Sequence, residues 1–369
     1  MLSLRERLNA YHSQERQAEK QPAAPTACYR TANRTERAAY GLPDHLDAAL
    51  LHSMSGLQLD GDLPLEGLLF LDTETTGLSG GAGTIAFLTG LGWFEGDTFV
   101  VEQDLMRDYP EEPAMLERVV ALIERSQLLV TFNGRTFDVP LLESRLTMNG
   151  KRVRLTERPH LDLLHPARAV FKLRLQRCRL ACLEETVLDI HREDDLPGSE
   201  VPRVWFQYLK DDDFRPVERI LEHNLQDIRS MPLLLGRMLS LYEAPLSIPW
   251  QEDIYSIGRV LEKRGQMERA RKCYHAADGG RLSRLARLSL AENYRKSTDY
   301  GHAAEVYERM LRDGQGSVQT MVRLAILYEH RLGRPQDALA LTRRAMLLTE
   351  DPDELAALNR RYQRLNRKG

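Results

Sequence analysis

Three observations predict a mixed α/β unit followed by an all-α array of helix pairs. Short apolar runs without alternation, Leu68-Leu69-Phe70-Leu71 and Leu128-Leu129-Val130-Thr131-Phe132, fit strands buried on both faces. Segments with helical spacing lie between and after them, which argues for a sheet flanked by helices. Beyond Trp250 the strands stop, and small and aromatic residues recur at a period near 34. A length of 369 residues allows two or three domains.

Residues 1–55 are polar and contain Gln21-Pro22-Ala23-Ala24-Pro25, which predicts a short helix and then a flexible connector. The sheet unit is expected over 56–245. Its first strand ends at Leu71-Asp72-Thr73-Glu74-Thr75. A hairpin follows, with Ile85–Phe94 and Thr98–Leu105 joined by a turn at Gly96 and Asp97. Then come a helix over 111–126, a strand over 128–132, a helix over 137–149 and a strand near 160–164. Val217, Ile220, Leu221, Leu225 and Ile228 mark one face of a later helix.

The helical array is expected over 250–369. Ile257-Gly258, Leu261, Gly265, Ala270, Tyr274 and Ala277 form one unit. Leu290-Ala291, Tyr294, Ala303 and Tyr307 repeat it 33 residues later. Leu324-Ala325, Tyr328, Ala338 and Ala345 make a third copy, and 352–367 reads as a cap. The pattern is similar to a tetratricopeptide array, which implies a surface for a protein partner. A plain helical bundle is the alternative.

Composition excludes some classes. The net charge is −3, and no apolar stretch approaches the length of a membrane span. The first 20 residues are charged and lack the apolar core of a secretion signal. Cys28, Cys178, Cys182 and Cys273 are too few and too scattered for a disulfide framework. A reducing, cytoplasmic setting is expected. Cys178 and Cys182, four apart on an expected helix, read as buried thiols because no second pair completes a zinc set.

Three stretches carry candidate chemistry. Asp72 and Glu74, two apart on a strand, emerge on the same side. Two close carboxylates repel unless a cation lies between them, and Mg²⁺ takes oxygen ligands; a solvated strand end is the alternative. The glycines from Gly77 to Gly83 suit a plain turn or a phosphate-facing loop. Asp138 opens a helix after the turn Asn133-Gly134-Arg135, at the carboxyl end of a strand, where open α/β sheets place ligands. His223 and Asp227 share one helical face, so an imidazole able to accept a proton from water lies one turn before an acid. Each stretch is weak alone; each supplies what the others need.

The constellation resembles the DEDD superfamily of 3′→5′ exonucleases, with a ribonuclease-H-like fold, over roughly Glu66 to Met238. Asp72 and Glu74 fit its first motif, Asn133 with Phe137-Asp138 its second, and His223 with Asp227 its third, in the histidine version. Thr131-Phe132-Asn133-Gly134-Arg135, Phe137-Asp138 and the tract 196–202 are similar to the YprB-like branch. The resemblance implies Asp72, Glu74, Asp138 and Asp227 as ligands of two Mg²⁺ or Mn²⁺ ions and His223 as general base. It implies hydrolysis of single-stranded DNA or RNA.

Lys151 to Arg179 holds nine basic residues and two acids, an arrangement that attracts polyanions. Lys151, Arg152, Arg154, Arg158, Arg168 and Lys172 are its candidate backbone contacts, joined by Asn133 and Phe137. The basic tail from Arg360 to Lys368 is a second cluster. Phe137 and Trp205 are candidates for base stacking. His160 and Asp162 are expected to border the site or to serve the fold. Competing readings are a non-catalytic nucleic-acid-binding adaptor and a two-metal phosphoesterase acting on nucleotides.

Overall fold

The computed structural model describes residues 27–77, 83–193 and 195–367. The start of the polar stretch expected to hold a short helix, through residue 26, and most of the glycine-rich loop after Gly77 lie outside them. The described residues hold eight strands and fourteen α-helices. In chain order these are β1 (Tyr29–Glu36), β2 (His45–Leu46), α1 (Ala48–Ser55), β3 (Leu63–Pro64), β4 (Leu68–Thr75), β5 (Ala86–Glu95), β6 (Thr98–Leu105), α2 (Glu112–Arg125), β7 (Leu128–Thr131), α3 (Asp138–Met148), β8 (His160–Asp162), α4 (Leu164–Leu175), α5 (Leu180–Leu183), α6 (Val201–Asp211) and α7 (Arg215–Glu243). The helical array then runs α8 (Gln251–Lys263), α9 (Met267–Ala276), α10 (Ser283–Lys296), α11 (Tyr300–Arg312), α12 (Val318–His330), α13 (Pro335–Leu348) and α14 (Pro352–Asn366).

The chain forms two compact units. Of the described residues, the first comprises 27–48, 59–165 and 179–237, built on a six-stranded sheet in the order β1-β6-β5-β4-β7-β8. The four strands β1, β6, β5 and β4 are antiparallel neighbours, while β7 and β8 run parallel to β4. β4 and β7 are apolar because both faces are covered. The core gathers Leu69, Leu71, Phe87, Leu91, Leu116, Val119, Leu142 and Ile220.

Several expectations differ from this fold. Residues 166–178 and 238–245, expected in the sheet unit, group with the second compact unit. Residues from Tyr29 onward, expected in a flexible connector, form edge strand β1 along β6. Tyr-Arg-Thr-Ala-Asn-Arg-Thr-Glu is polar enough to be read as linker, yet an edge strand tolerates charge and its threonines favour the extended chain. Trp205, expected as a base-stacking ring, is fully buried. It stacks on Phe87 at 4.7 Å, and its indole N–H donates to the Met106 carbonyl at 3.1 Å. An aromatic on the apolar stripe of α6 fills the core.

The second unit comprises 49–58, 166–178 and 238–369. α8–α9, α10–α11 and α12–α13 pack as successive pairs, and α14 follows α13. Small residues at the repeat positions permit close approach: Gly258, Ala270, Ala291, Ala303, Ala325 and Ala338 are all buried. A Cβ at Gly258 would lie 2.8 Å from Cys273 Cβ and 3.0 Å from the Tyr274 ring. None of the four cysteines is in a disulfide. Cys178 is buried but precedes α5, so it does not share that helix with Cys182, which is half-buried. Among the described residues no helix is long and apolar enough to cross a membrane.

Candidate active site

β4 outruns its parallel neighbour. Leu68 to Phe70 pair with Leu128 to Val130, whereas Asp72 and Glu74 lie beyond and pair only with Gly90 and Leu88 of β5. The two carboxylates therefore leave the sheet on one face, at the strand's carboxyl end. A register shift between Glu74 and Thr75 closes the strand. The β7–α3 turn returns beside it. Asn133 has φ 70°, a left-handed conformation that asparagine tolerates, and its backbone N–H donates to Asp162 at 2.7 Å. Arg135 and Leu164 donate backbone N–H groups to the same carboxylate at 3.1 Å each. Asp162 thus pins the turn that delivers Asp138. Asp138 is buried and accepts a short hydrogen bond from the Thr73 hydroxyl.

α7 brings the third stretch. It approaches β5 at Gly90 and Gly92, where a Cβ would fall 2.2 Å from Asn224 Oδ1 and 2.7 Å from an Ile228 methyl. Two missing side chains on one strand face let a helix lie close. Asn224 is fully buried, and its Nδ2 donates to Asp72 Oδ2 at 2.9 Å. Gln103 Nε2 donates to Asn224 Oδ1 at 2.9 Å and to the Leu221 carbonyl at 2.8 Å, which fixes the amide's orientation.

His223 and Asp227 follow one turn apart. His223 Nε2 is 3.8 Å from both Glu74 Oε1 and Asp227 Oδ2. Its Nδ1 is 2.6 Å from Asp195 Oδ1. Arg192 Nη1 also lies 3.3 Å from Nδ1, but the shorter contact is to a carboxylate, which only accepts, so it favours the proton on Nδ1 and leaves Nε2 toward the acids. Arg192 donates to Asp227 through a short bond and to the buried Glu184 at 2.5 and 2.7 Å. Ser230 also donates to Glu184.

The electrostatics are those of crowded like charge. Burial first, then Asp227, Asp138 and Glu74, push the Asp72 carboxyl well above its ordinary range. Burial, Asp227 and Asp138 raise Glu74 likewise. Burial lifts Asp138 to about 6 against the lowering effect of the Thr73 hydroxyl. Asp227 is raised by burial, a shift that Arg192 and His223 reduce. All four site acids interact, so the fold brings Asp72, Glu74, Asp138, Asp227 and His223 into one neighbourhood. The donor set is oxygen-rich and acidic and fits hard divalent cations. As the side chains stand, no three His, Cys, Asp or Glu among the described residues form a ready-made ligating group. Asn224, Thr73 and Arg192 hold the carboxylates through hydrogen bonds instead.

The basic candidates separate. Lys151 bonds Glu117 at 2.8 Å, and Arg154 lies 3.6 Å from Glu157. Arg158 donates to the carbonyls of Ile123 at 2.5 Å and Ser126 at 3.3 Å, capping α2. Arg152, Arg168 and Lys172 are exposed, and the last two belong to the second unit. In the tail, Arg361 and Arg364 pair with Glu329. Phe137 is 51% exposed and presents a free ring, whereas Trp205 does not. His160 is buried, bonded to the Thr131 hydroxyl at 2.8 Å, with its pKa pushed by burial down to about 4. Sequence reasoning missed Asn224, Gln103, Arg192, Asp195 and Glu184; the pair Gly90 and Gly92 was the available signal of a close helix.

Comparison with known proteins finds a family model over the sheet unit and a relative along most of the chain. A family model of the RNase_H superfamily, RNase_H_2, matches residues 69–239. The chain is 30% identical over 322 residues to "Uncharacterized protein YprB" of Bacillus subtilis (strain 168), an alignment covering 82% of this chain and 75% of that protein. A family B DNA polymerase from Pyrobaculum calidifontis aligns in structure with 67% of this chain at 15% identity and a TM-score of 0.39. The match covers 33% of that polymerase chain.

Proposed function

We propose, for a chain that belongs to the family of Bacillus subtilis YprB and carries a ribonuclease H superfamily domain, a metal-dependent 3′→5′ exonuclease of the DEDD type with a histidine base. Its substrate is single-stranded DNA or RNA. The observation that carries the reading is the convergence of Asp72, Glu74, Asp138 and Asp227, buried or half-buried, beyond the end of β4, where their like charges oppose one another's ionisation. Folding gains nothing from placing such acids together, and sites that shift pKa values this way cluster where chemistry is done.

Asp72, Glu74, Asp138 and Asp227 would hold two Mg²⁺ or Mn²⁺ ions. Bound there, the ions would supply Lewis acidity toward the phosphate and activate water. The chain's own residues do the rest. Asn224 orients Asp72, and Thr73 orients Asp138. His223, with Nδ1 held by Asp195, offers Nε2 to take a proton from the attacking water. Phe137 offers an exposed face to a terminal base. We assign the exonuclease domain to 56–245 and a tetratricopeptide-like domain, open to a protein partner, to 250–369, in a cytoplasmic protein.

One observation favours the adaptor reading. Arg192 already compensates Asp227, as in a site that binds without cutting. Incubation with 3′- and 5′-labelled DNA and RNA, with Mg²⁺ or Mn²⁺, separates the two. Product ladders shortening from the 3′ end, abolished by chelation, support the exonuclease. Intact oligonucleotide under every condition supports the adaptor.

A further inference from the structure

The basic run of the sequence leaves one remnant that the candidate active site does not use. On α4, Arg174 is taken by Asp253 at 2.8 Å and lies over Trp250. Arg168 and Lys172, one turn apart, stay exposed. They line an open groove of about 1050 Å³ that lies wholly within the second unit. α8 contributes Arg259 and Lys263 to the same groove, again one turn apart and exposed. None of the four makes an ion pair among the described residues.

The groove's acids do not cancel this charge. Glu262 receives Lys296 at 2.6 Å and the Tyr274 hydroxyl at 2.5 Å. Glu292 receives Arg323 at 3.2 Å and the Tyr307 hydroxyl at 2.6 Å. Four uncompensated cations remain, in two rows. Within each row the spacing is about 5–6 Å at Cβ, the scale of neighbouring phosphates on an extended strand. Leu173 and Leu285, 43% and 46% exposed, add apolar surface. Helical walls have no free main-chain groups with which to pair an extended peptide. What they offer is charge without sequence readout, the mode of backbone binding.

We infer that this groove binds the sugar–phosphate backbone of a single-stranded nucleic acid, independently of base sequence. The choice of nucleic acid over other polyanions rests on the nuclease reading. The test is fluorescence anisotropy of a labelled oligothymidylate with the full chain carrying Asp72→Ala, in chelator, over a salt series. Binding should weaken with a slope near −3 in log–log form, about 0.7 per phosphate. Arg168→Glu with Lys172→Glu, and Arg259→Glu with Lys263→Glu, should each weaken binding by roughly tenfold or more and flatten the slope by about 1.4. The glutamine versions should show the same trend, smaller. Affinity and slope unchanged in both pairs would overturn the inference. So would a labelled polyglutamate that binds the parent more tightly than the oligonucleotide and loses affinity in the same variants, which would make the groove a protein-docking site. Strand binding lost in these variants of a chain that never hydrolyses would sink only the nuclease reading; hydrolysis with unaltered binding would sink only the groove.

Discussion

The two units treat charge in opposite ways. In the sheet unit, Asp72, Glu74, Asp138 and Asp227 are held close together, buried or half-buried, with Arg192 as the nearby cation. In the helical unit each repeat binds its own acid. Tyr274 donates to Glu262, Tyr307 to Glu292 and Tyr328 to Glu308. The same acids pair with basic residues further along the chain, Lys296, Arg323 and Arg334. Exposed pairs of that kind are worth little individually and cost little. Outside the four groove cations, the helical unit therefore has a charge pattern that folding alone explains. The sheet unit has one that folding alone would remove.

The largest expected effect breaks that contrast at its centre. Asp72→Asn or Asp227→Asn should reduce hydrolysis by roughly a hundredfold or more, since ligand and orienting groups of metal sites each matter at that scale. The same Asp72→Asn change should raise the melting temperature in chelator at neutral pH. Folding raises the pKa of that carboxyl, so its ionised form opposes folding increasingly as pH rises above the ordinary carboxyl range. Mn²⁺ should raise the melting temperature of the parent and leave both variants unmoved. Differential scanning fluorimetry reads all three. A variant both inactive and less stable, with the Mn²⁺ shift intact, would mean the acids serve the fold.

Two glycines sharpen the comparison. Gly90→Ala puts a Cβ against Asn224, which Gln103 holds in place, so the contact to Asp72 should break. Gly258→Ala crowds Cys273 and Tyr274 in the helical unit. Overpacking costs about 1–3 kcal/mol in each case, offset at Gly258 by up to ~1 kcal/mol of helix propensity. Denaturant unfolding should show both losses. The Mn²⁺ shift should disappear only in Gly90→Ala.

Much of this was legible in the sequence, and the rest was hidden for physical reasons. β4 to β7 and α3 announced themselves because buried strands are continuous apolar runs and helices keep their period. The repeat of Gly258, Ala291 and Ala325 shows for the same reason. β1 does not, because an edge strand may be polar along its whole length. Arg192, Glu184 and Asp195 belong to no period and meet the site only through long-range packing. The run from Lys151 to Arg179 looked continuous along the chain, but its members point to different partners once folded. Linear charge density does not say which cations stay free.

A pH series places the acid-sensitive part of the sheet unit. His160 is buried neutral at a pKa of about 4, below its ordinary 6.5. In the unfolded chain it takes up a proton as pH falls through 6.5, and in the folded chain only near 4. Stability from this group is therefore complete above pH 6.5 and drains away between 6.5 and 4, by at most about 3 kcal/mol. The site carboxyls change in the opposite sense over that range, so parent and His160→Gln must be compared. The difference in unfolding free energy between them should shrink as pH falls from 7 to 4. A constant difference would show that the imidazole titrates normally.

The smallest effect tests the other half of the contrast. Lys296→Ala removes the half-exposed partner of Glu262, whose carboxylate still accepts the Tyr274 hydroxyl. The loss should be about 0.5 kcal/mol and should vanish in high salt, because screening already removes the pair's benefit. Arg192→Ala supplies the contrast. That guanidinium is largely buried and serves Glu184 and Asp227 together, so deleting it strands two acids and should cost several-fold more, with little relief from salt. Equal costs for the two changes would mean that the charges of the sheet unit are as well solvated as those of the helices, and the distinction between a chemical and a structural use of charge in this chain would fail.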